Sequence, residues 1–222
     1  VRINPVRLAL FRDVCGSPDG GLLVPPAYPE GLFLGPMAEA VLSDAFPFSP
    51  FGLIHVRQRI GLLCPIGPGV TLDLSCRLVE IRETDRGFEV DFSLRADVAG
   101  AEAWNGTTTL LSRNKDARSG HGRGRDESAP WIPEEEPFQS IRVHVPEDTG
   151  RRYAAASGDW NPHHLYATTA RLLGYRRAIA HGMWTFARTL AEIEAKRPFT
   201  LPIEAGALFE RPIFLTAEID IR

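Results

Sequence analysis

Cysteine is scarce in this chain. Cys15, Cys64 and Cys76 are the only three, and no two of them stand as C-x-x-C. An odd count without that spacing argues against a disulfide framework and a structural zinc site, and it fits a reducing compartment. A basic excess is missing too. The formal net charge is −3, whereas nucleic-acid binders carry a positive surplus or patch, so no nucleic-acid partner is expected. No apolar run approaches the ~20 residues that span a bilayer, and no signal-peptide pattern opens the chain. The expectation is a cytoplasmic protein with no membrane partner.

What is present suits a globular protein. Of 222 residues, 44% are hydrophobic and 24% charged, enough for a sizeable core in one large domain or two small ones. One stretch stands apart: Arg113 to Pro137 reads RNKDARSGHGRGRDESAPWIPEEEP. Glycine, proline and charge dominate there, so residues 113–137 read as a linker. Its Gly120, Gly122 and Gly124 have the spacing of a phosphate loop. Such a loop follows a strand and opens a helix; here Arg-Asp-Glu-Ser follows, so the linker reading is preferred.

The flanks resemble each other in outline. Met183, Phe186, Ala187, Leu190 and Ala191 recur at helical spacing after Gly182, and Pro198 closes the stretch. That pattern predicts a helix with one buried face. Strands are expected near 207–215 and 217–221. In the first flank, Met37, Ala38, Val41, Leu42 and Ala45 follow Gly35 with similar spacing. Strands over 53–60, 70–81, 88–98 and 103–111 are then expected, with a hairpin turn at Thr84-Asp85-Arg86-Gly87. Two copies of one α+β unit follow, over residues 1–112 and 138–222. The second copy stops where the first copy's hairpin would begin, so its sheet is expected to be incomplete.

The chemistry-bearing segment is Ser157-Gly158-Asp159-Trp160-Asn161-Pro162-His163-His164. Ile141–Val145 alternates as a strand, and Asp148 is placed to cap a short helix that Gly158 breaks. Asn161-Pro162 is a helix start, with asparagine as N-cap and proline at the first helical position. The new helix is expected to run to about Leu173. His164 then lies at its third position, where the helix dipole disfavours imidazolium. Asp159 precedes the cap on a tight loop and can fold back beside His164. A carboxylate and a neutral imidazole can hold one water and move its protons, an effect worth ~10²–10⁴ in rate. Further on stands Ala180-His181-Gly182-Met183. The free N–H of Gly182 at a helix start suits a carbonyl oxygen that gains charge, worth on the order of 10²–10³.

Tyr153, Ser157-Gly158-Asp159, Asn161-Pro162, His164 and Ile179-Ala180-His181-Gly182-Met183 together resemble the signature of the MaoC-like, (R)-specific enoyl-CoA hydratase (hydratase 2) family. Phe209-Glu210-Arg211-Pro212-Ile213-Phe214-Leu215 resembles the family's following strand. The resemblance implies a double hot-dog fold, with an antiparallel sheet wrapped around a central helix in each repeat. It implies reversible hydration of a trans-2-enoyl thioester to the (R)-3-hydroxyacyl thioester, carried by coenzyme A or acyl carrier protein, without a metal or redox cofactor. Asp159 and His164 would activate the water and Gly182 would hold the thioester oxygen. Asn161, Ser157 and His181 would support them, with Met183 and Tyr153 as candidate substrate contacts. The first repeat would lack the dyad and shape the acyl channel; a homodimer is left open. His163 departs from the family's aliphatic residue, and adjacent helical positions point about 100° apart, so its ring is expected to face elsewhere.

Plainer readings stand beside these. Ser157 lacks the G-x-S-x-G elbow of a nucleophile. Met183, Trp184 and Phe186 fit a core better than a ligand wall. Arg171, Arg176 and Arg177 fit solvated surface better than phosphate contacts. A metal site from Asp159, His163, His164 and His181 lacks a recognised ligand spacing. His55 and His144 sit in strand patterns with no role assigned. The rival functions are a hot-dog thioesterase and a non-catalytic acyl-binding or partner subunit.

Overall fold

The computed structural model describes residues 1–18, 23–50, 52–113 and 140–221. The linker reading over 113–137 falls almost wholly outside them. Strands β1 (Ile54–Leu62), β2 (Asp73–Thr84), β3 (Gly87–Val98) and β4 (Ala101–Arg113) form an antiparallel sheet in the order β2-β3-β4-β1, and β6 (Ile203–Leu208) adds to its β1 edge. The expected hairpin is there: Thr84 pairs with Gly87. A separate ribbon pairs β5 (Ile141–Val145) with β7 (Ala217–Ile221). Alternation sets the faces. On β3, Val90, Phe92, Leu94 and Ala96 are sealed in the core. Glu89 and Asp91 face the other way, where the Arg82 guanidinium bonds both.

Helix α1 (Pro5–Cys15) is absent from the sequence expectations, although Asn4-Pro5 is the same kind of start as Asn161-Pro162. Asn4 Oδ1 accepts the N–H groups of Val6 at 2.9 Å and Arg7 at 3.3 Å, and Gly16 ends the helix at φ 67°. A 3₁₀ helix (Tyr28–Phe33) leads into α2 (Leu34–Leu42). This is the first flank's predicted helix, shifted back, and it buries Met37 alone. Helix α6 (Gly182–Lys196) is the predicted buried helix, sealing Met183, Trp184, Phe186, Ala187, Leu190 and Ala191. The Trp184 indole N–H donates to the Val14 carbonyl at 2.9 Å, tying α6 to α1.

Two elements of the second flank differ from expectation. The strand expected over 207–215 is β6, which ends at Leu208; beyond it only Phe214 bridges, to Ile179. The helix expected to run on to Leu173 is broken into α4 (Pro162–Leu165) and α5 (Ala167–Leu172) by an extended Tyr166. The cause is a diversion of the carbonyls that would continue it. The Leu165 carbonyl accepts Arg151 Nη1 at 3.1 Å, and the Pro162 carbonyl accepts the Thr169 hydroxyl. No helix among the described residues is long and apolar enough to cross a membrane.

Candidate active site

Helix α3 (Thr149–Ser157) delivers the motif. Gly150 lets it come close: a Cβ there would stand 1.9 Å from the His164 carbonyl oxygen. Gly158 then turns the chain at φ 91°. The Ser157 hydroxyl donates to the Tyr153 carbonyl at 2.9 Å and accepts the Asp159 N–H at 3.1 Å, so Ser157 shapes the loop. Asp159 Oδ1 accepts both the backbone N–H of Asn161, at 3.1 Å, and its side-chain amide, at 2.8 Å. The expected asparagine cap is therefore corrected. The Asn161 side chain makes no capping bond because it is committed to Asp159. Asp148 likewise begins α3 without a side-chain cap.

A second segment meets the first. The Ala180 N–H donates to the Ile213 carbonyl and the Leu215 N–H to the Ala178 carbonyl, which turns both polar groups of Ile179 toward α4. The Ile179 N–H donates to the His163 carbonyl at 3.1 Å, and the His164 Nδ1–H donates to the Ile179 carbonyl at 2.8 Å. A carbonyl only accepts, so the proton is on Nδ1 and Nε2 keeps its lone pair. His181 stacks on His164 with ring centroids 3.6 Å apart. Its Nε2–H donates to the Asp159 carbonyl at 3.0 Å and lies 3.7 Å from Asp159 Oδ2. Asp159, His164 and His181 thus place one ligand-type atom each within 4.8 Å of one another, a set able to hold a divalent cation. His181 would first have to give up its bond to the Asp159 carbonyl.

Burial governs the charges here. His164 is 7% exposed and His181 2%. The His164 pKa is driven far below the ordinary imidazole value, by desolvation first and then by the neighbouring His181 and His163 rings. Desolvation likewise lowers His181 to about 3. The neutral His164 foreseen in the sequence is present, but the helix dipole is not its cause, since α4 has four residues. The His163 expectation is corrected as well. Its ring centroid lies 4.0 Å from that of His164, so three imidazoles are in contact in series.

Gly182 starts α6 one residue after His181, and its N–H meets no acceptor among the described residues. A Cβ on Gly182 would press on the Phe209 ring at 3.0–3.2 Å, which accounts for the missing side chain. Tyr153 and Met183 are sealed in the core, and Tyr153 lies against the His181 ring at 4.9 Å.

A model of the MaoC-like domain matches residues 128–213. The chain is 33% identical over 215 residues to 3-hydroxyacyl-thioester dehydratase X of Mycobacterium tuberculosis, covering 97% of this chain and 74% of that one. The chain belongs to the MaoC-like dehydratase family. The crystal structure of that same M. tuberculosis protein, HtdX, aligns with a TM-score of 0.81 at 30% identity, covering 98% of this chain and 83% of that one. A MaoC-like dehydratase from Phytophthora capsici aligns with a TM-score of 0.81 at 18% identity, covering 99% and 81%. An M. tuberculosis protein described as a double hot-dog aligns at 0.53 with 12% identity, covering 99% of this chain and 79% of that one. The fold is a double hot-dog of the α+β class.

Two titratable residues of the first flank feel the Asp159 charge and were given no role in the sequence. Glu30, in the 3₁₀ helix, is 4% exposed, and burial followed by the nearby Asp159 charge pushes its carboxyl up to about 8. Its neighbour Gly31 packs against Ser157: a Cβ there would lie 3.2 Å from the Ser157 carbonyl oxygen. His55 on β1 meets Phe209 edge-on at 4.9 Å, and burial lowers it to about 4 while Asp159 opposes the shift. No local pattern marks either residue. Arg7 of α1 also reaches the motif, donating to the Ala156 carbonyl at 3.3 Å.

Proposed function

We propose that the chain is a hydro-lyase that reversibly hydrates trans-2-enoyl thioesters to (R)-3-hydroxyacyl thioesters, as the name of its M. tuberculosis relative suggests. The carrying observation is that Asp159, His164 and His181 bring ligand-type atoms within 4.8 Å of one another. The Ile179 carbonyl holds the only proton of the neutral His164 ring on Nδ1, so Nε2 keeps its lone pair and can act as a base. Asn161 fixes Oδ1 of the Asp159 carboxylate and leaves Oδ2 to hold a water.

In the hydration direction, the water oxygen bonds to C3 as one of its protons passes to the Asp159–His164 pair. The pair returns a proton to C2, so one water is added and the site is restored. Charge gathers on the thioester oxygen between these events, and the Gly182 N–H donates to it. Met183 and Tyr153 wall the protein side of the site, while Ser157 and His181 hold the Asp159 loop in place. Residues 1–112 shape the acyl channel and 138–222 carry the chemistry, joined through 113–137. The three free cysteines suit a reducing cytoplasm.

Incubation with crotonyl-CoA should remove the enoyl absorbance without releasing thiol. Asp159→Asn and His164→Ala should each lower kcat by ~10²–10⁴. Thiol release without hydration would instead establish a thioesterase, and full activity in both variants would remove the site assignment.

A further inference from the structure

The wall beside Gly182 has a shape that the mechanism above does not use. Gly182, whose N–H would receive the thioester oxygen, is covered on one side by the Phe209 ring. A Cβ built on Gly182 would stand 3.0 Å from Phe209 Cδ1, 3.1 Å from Cγ and 3.2 Å from Cδ2. Three near-equal distances mean that the ring lies over the Gly182 Cα rather than touching it with one tip. Phe209 follows β6 and is half-buried, so part of its ring remains accessible.

The ring has little room to retreat. The Phe209 N–H donates to the Val56 carbonyl at 2.9 Å, which ties it to β1 of the first flank. Behind the ring stands His55, edge-on, with centroids 4.9 Å apart. His55 is itself held: its Nε2–H donates to the Arg57 carbonyl at 3.0 Å, and the Gln58 side chain hydrogen-bonds its ring. Gln58 is fully buried, accepts the Thr108 hydroxyl at 2.7 Å and donates to the Arg59 carbonyl at 3.0 Å. The Asp159 charge acts on the same His55 ring, so the residue that backs Phe209 also borders the dyad. A ring fixed by strand bonds and by a second ring resists added volume, as close-packed groups do.

The place of this wall decides which carbon meets it. A thioester oxygen on the Gly182 N–H puts C1 one bond away and C2 two bonds away. C2 therefore lies beside Gly182, and the carbons beyond C3 lie farther along the channel. A substituent on C2 is the part of the acyl group that meets Phe209 first.

We propose that Phe209, backed by His55 from the first flank, is a specificity-determining residue that admits trans-2-enoyl thioesters with hydrogen on C2 and rejects those with a methyl group there. The inference rests on the thioester reading of the site and on Gly182 as the donor to the thioester oxygen. It gives the first flank a direct part in substrate choice, through the β1 residue that holds the ring in place.

The test compares crotonyl-CoA with tiglyl-CoA, its 2-methyl analogue, in the wild type and in Phe209→Ala, Phe209→Leu and His55→Ala. The methyl group also changes intrinsic reactivity, so the readout is the change between proteins in the ratio of kcat/KM, crotonyl over tiglyl. That ratio should fall about tenfold or more in Phe209→Ala, the scale on which a pocket resolves one methylene. Phe209→Leu should lower it less, and His55→Ala should lower it too, because the ring then gains room to move back. The leucine variant keeps an apolar filler against Gly182 and decides the matter if the alanine variant does not fold. An unchanged ratio in a folded Phe209 or His55 variant, or equal losses on both substrates, overturns the proposal. Calorimetry with butyryl-CoA and 2-methylbutyryl-CoA, neither of which can be hydrated, should show the same preference narrowing in the Phe209 variants. If crotonyl-CoA is not hydrated, the functional reading fails, while these two Kd values still decide whether Phe209 excludes a C2 methyl group.

Discussion

Helices α2 and α6 begin alike in sequence and end in different settings. Each follows a glycine with apolar residues at helical spacing, yet α6 seals six side chains and α2 seals Met37. The difference lies in what else covers the sheet. In the first flank, aromatic residues outside the helix do the covering. Phe33 stacks on Trp104 at 5.5 Å, Phe46 on Phe92 at 6.4 Å and Phe48 on Phe88 at 5.2 Å. In the second flank that duty falls to α6 itself, from Met183 through Ala191. Hydrophobic periodicity reports that a helix has an apolar face, but which element reaches the core depends on competitors elsewhere in the chain.

Removing one buried side chain from each helix exposes that contrast most strongly. Trp184→Ala deletes a 2% exposed indole together with its bond to Val14, and should cost about 3–5 kcal/mol of unfolding free energy. Met37→Ala, in a short and mostly exposed helix, should fall at or below the ~2 kcal/mol lower end of such substitutions. Urea titrations of both variants check this, and equal losses would mean that α2 is as central as α6.

The same contrast describes what was legible in the sequence. The dyad loop was legible because neighbouring residues build it: Gly158 turns it, Ser157 receives the Asp159 N–H, and Asn161 returns to Asp159. The strands of the first flank were legible from alternation to within a few residues, whereas β6 lies at Ile203–Leu208 and shares only two residues with the expected 207–215. The break at Tyr166 was not, because the group that diverts the Leu165 carbonyl is Arg151 on another helix. Glu30 and His55 were hidden for the same reason: their relation to Asp159 exists only once the flanks have packed. Helix α1 is a different case. Its start and stop were both written locally, in Asn4-Pro5 and Gly16.

Titration sharpens the comparison with opposite signs. In the second flank, His181 falls from 6.5 to about 3 on folding, and His164 also falls. The unfolded chain then binds more protons as pH drops below 6.5, so these groups cost stability on the acid side. In the first flank, Glu30 rises from 4.5 to about 8. The folded chain holds that proton while the unfolded chain loses it, so stability declines as pH climbs from 4.5 to 8. Each buried group contributes a slope of at most about 1.4 kcal/mol per pH unit. Glu30→Gln should flatten the alkaline decline and leave the acid one in place, as read by denaturant midpoints from pH 4 to 9. An unaltered alkaline slope would mean that Glu30 is ionised in the folded protein.

The smallest effect separates the two readings of one residue. If Asn161 were mainly a helix cap, Asp would replace it with little loss, because the two are near equals at that position. In the structure its amide donates to Asp159 Oδ1 at 2.8 Å. Asn161→Ala would lose that bond, about 1 kcal/mol, and kcat should fall severalfold. Asn161→Asp would lose it and also set a second carboxylate against the first, so its kcat should fall below that of the alanine variant. The like charge should also raise the lower pKa of the pH–rate profile, a shift that alanine would not produce. Activity in the order Asp above Ala would return Asn161 to simple capping, and it would leave the Asp159 carboxylate positioned by its backbone bonds and by His181.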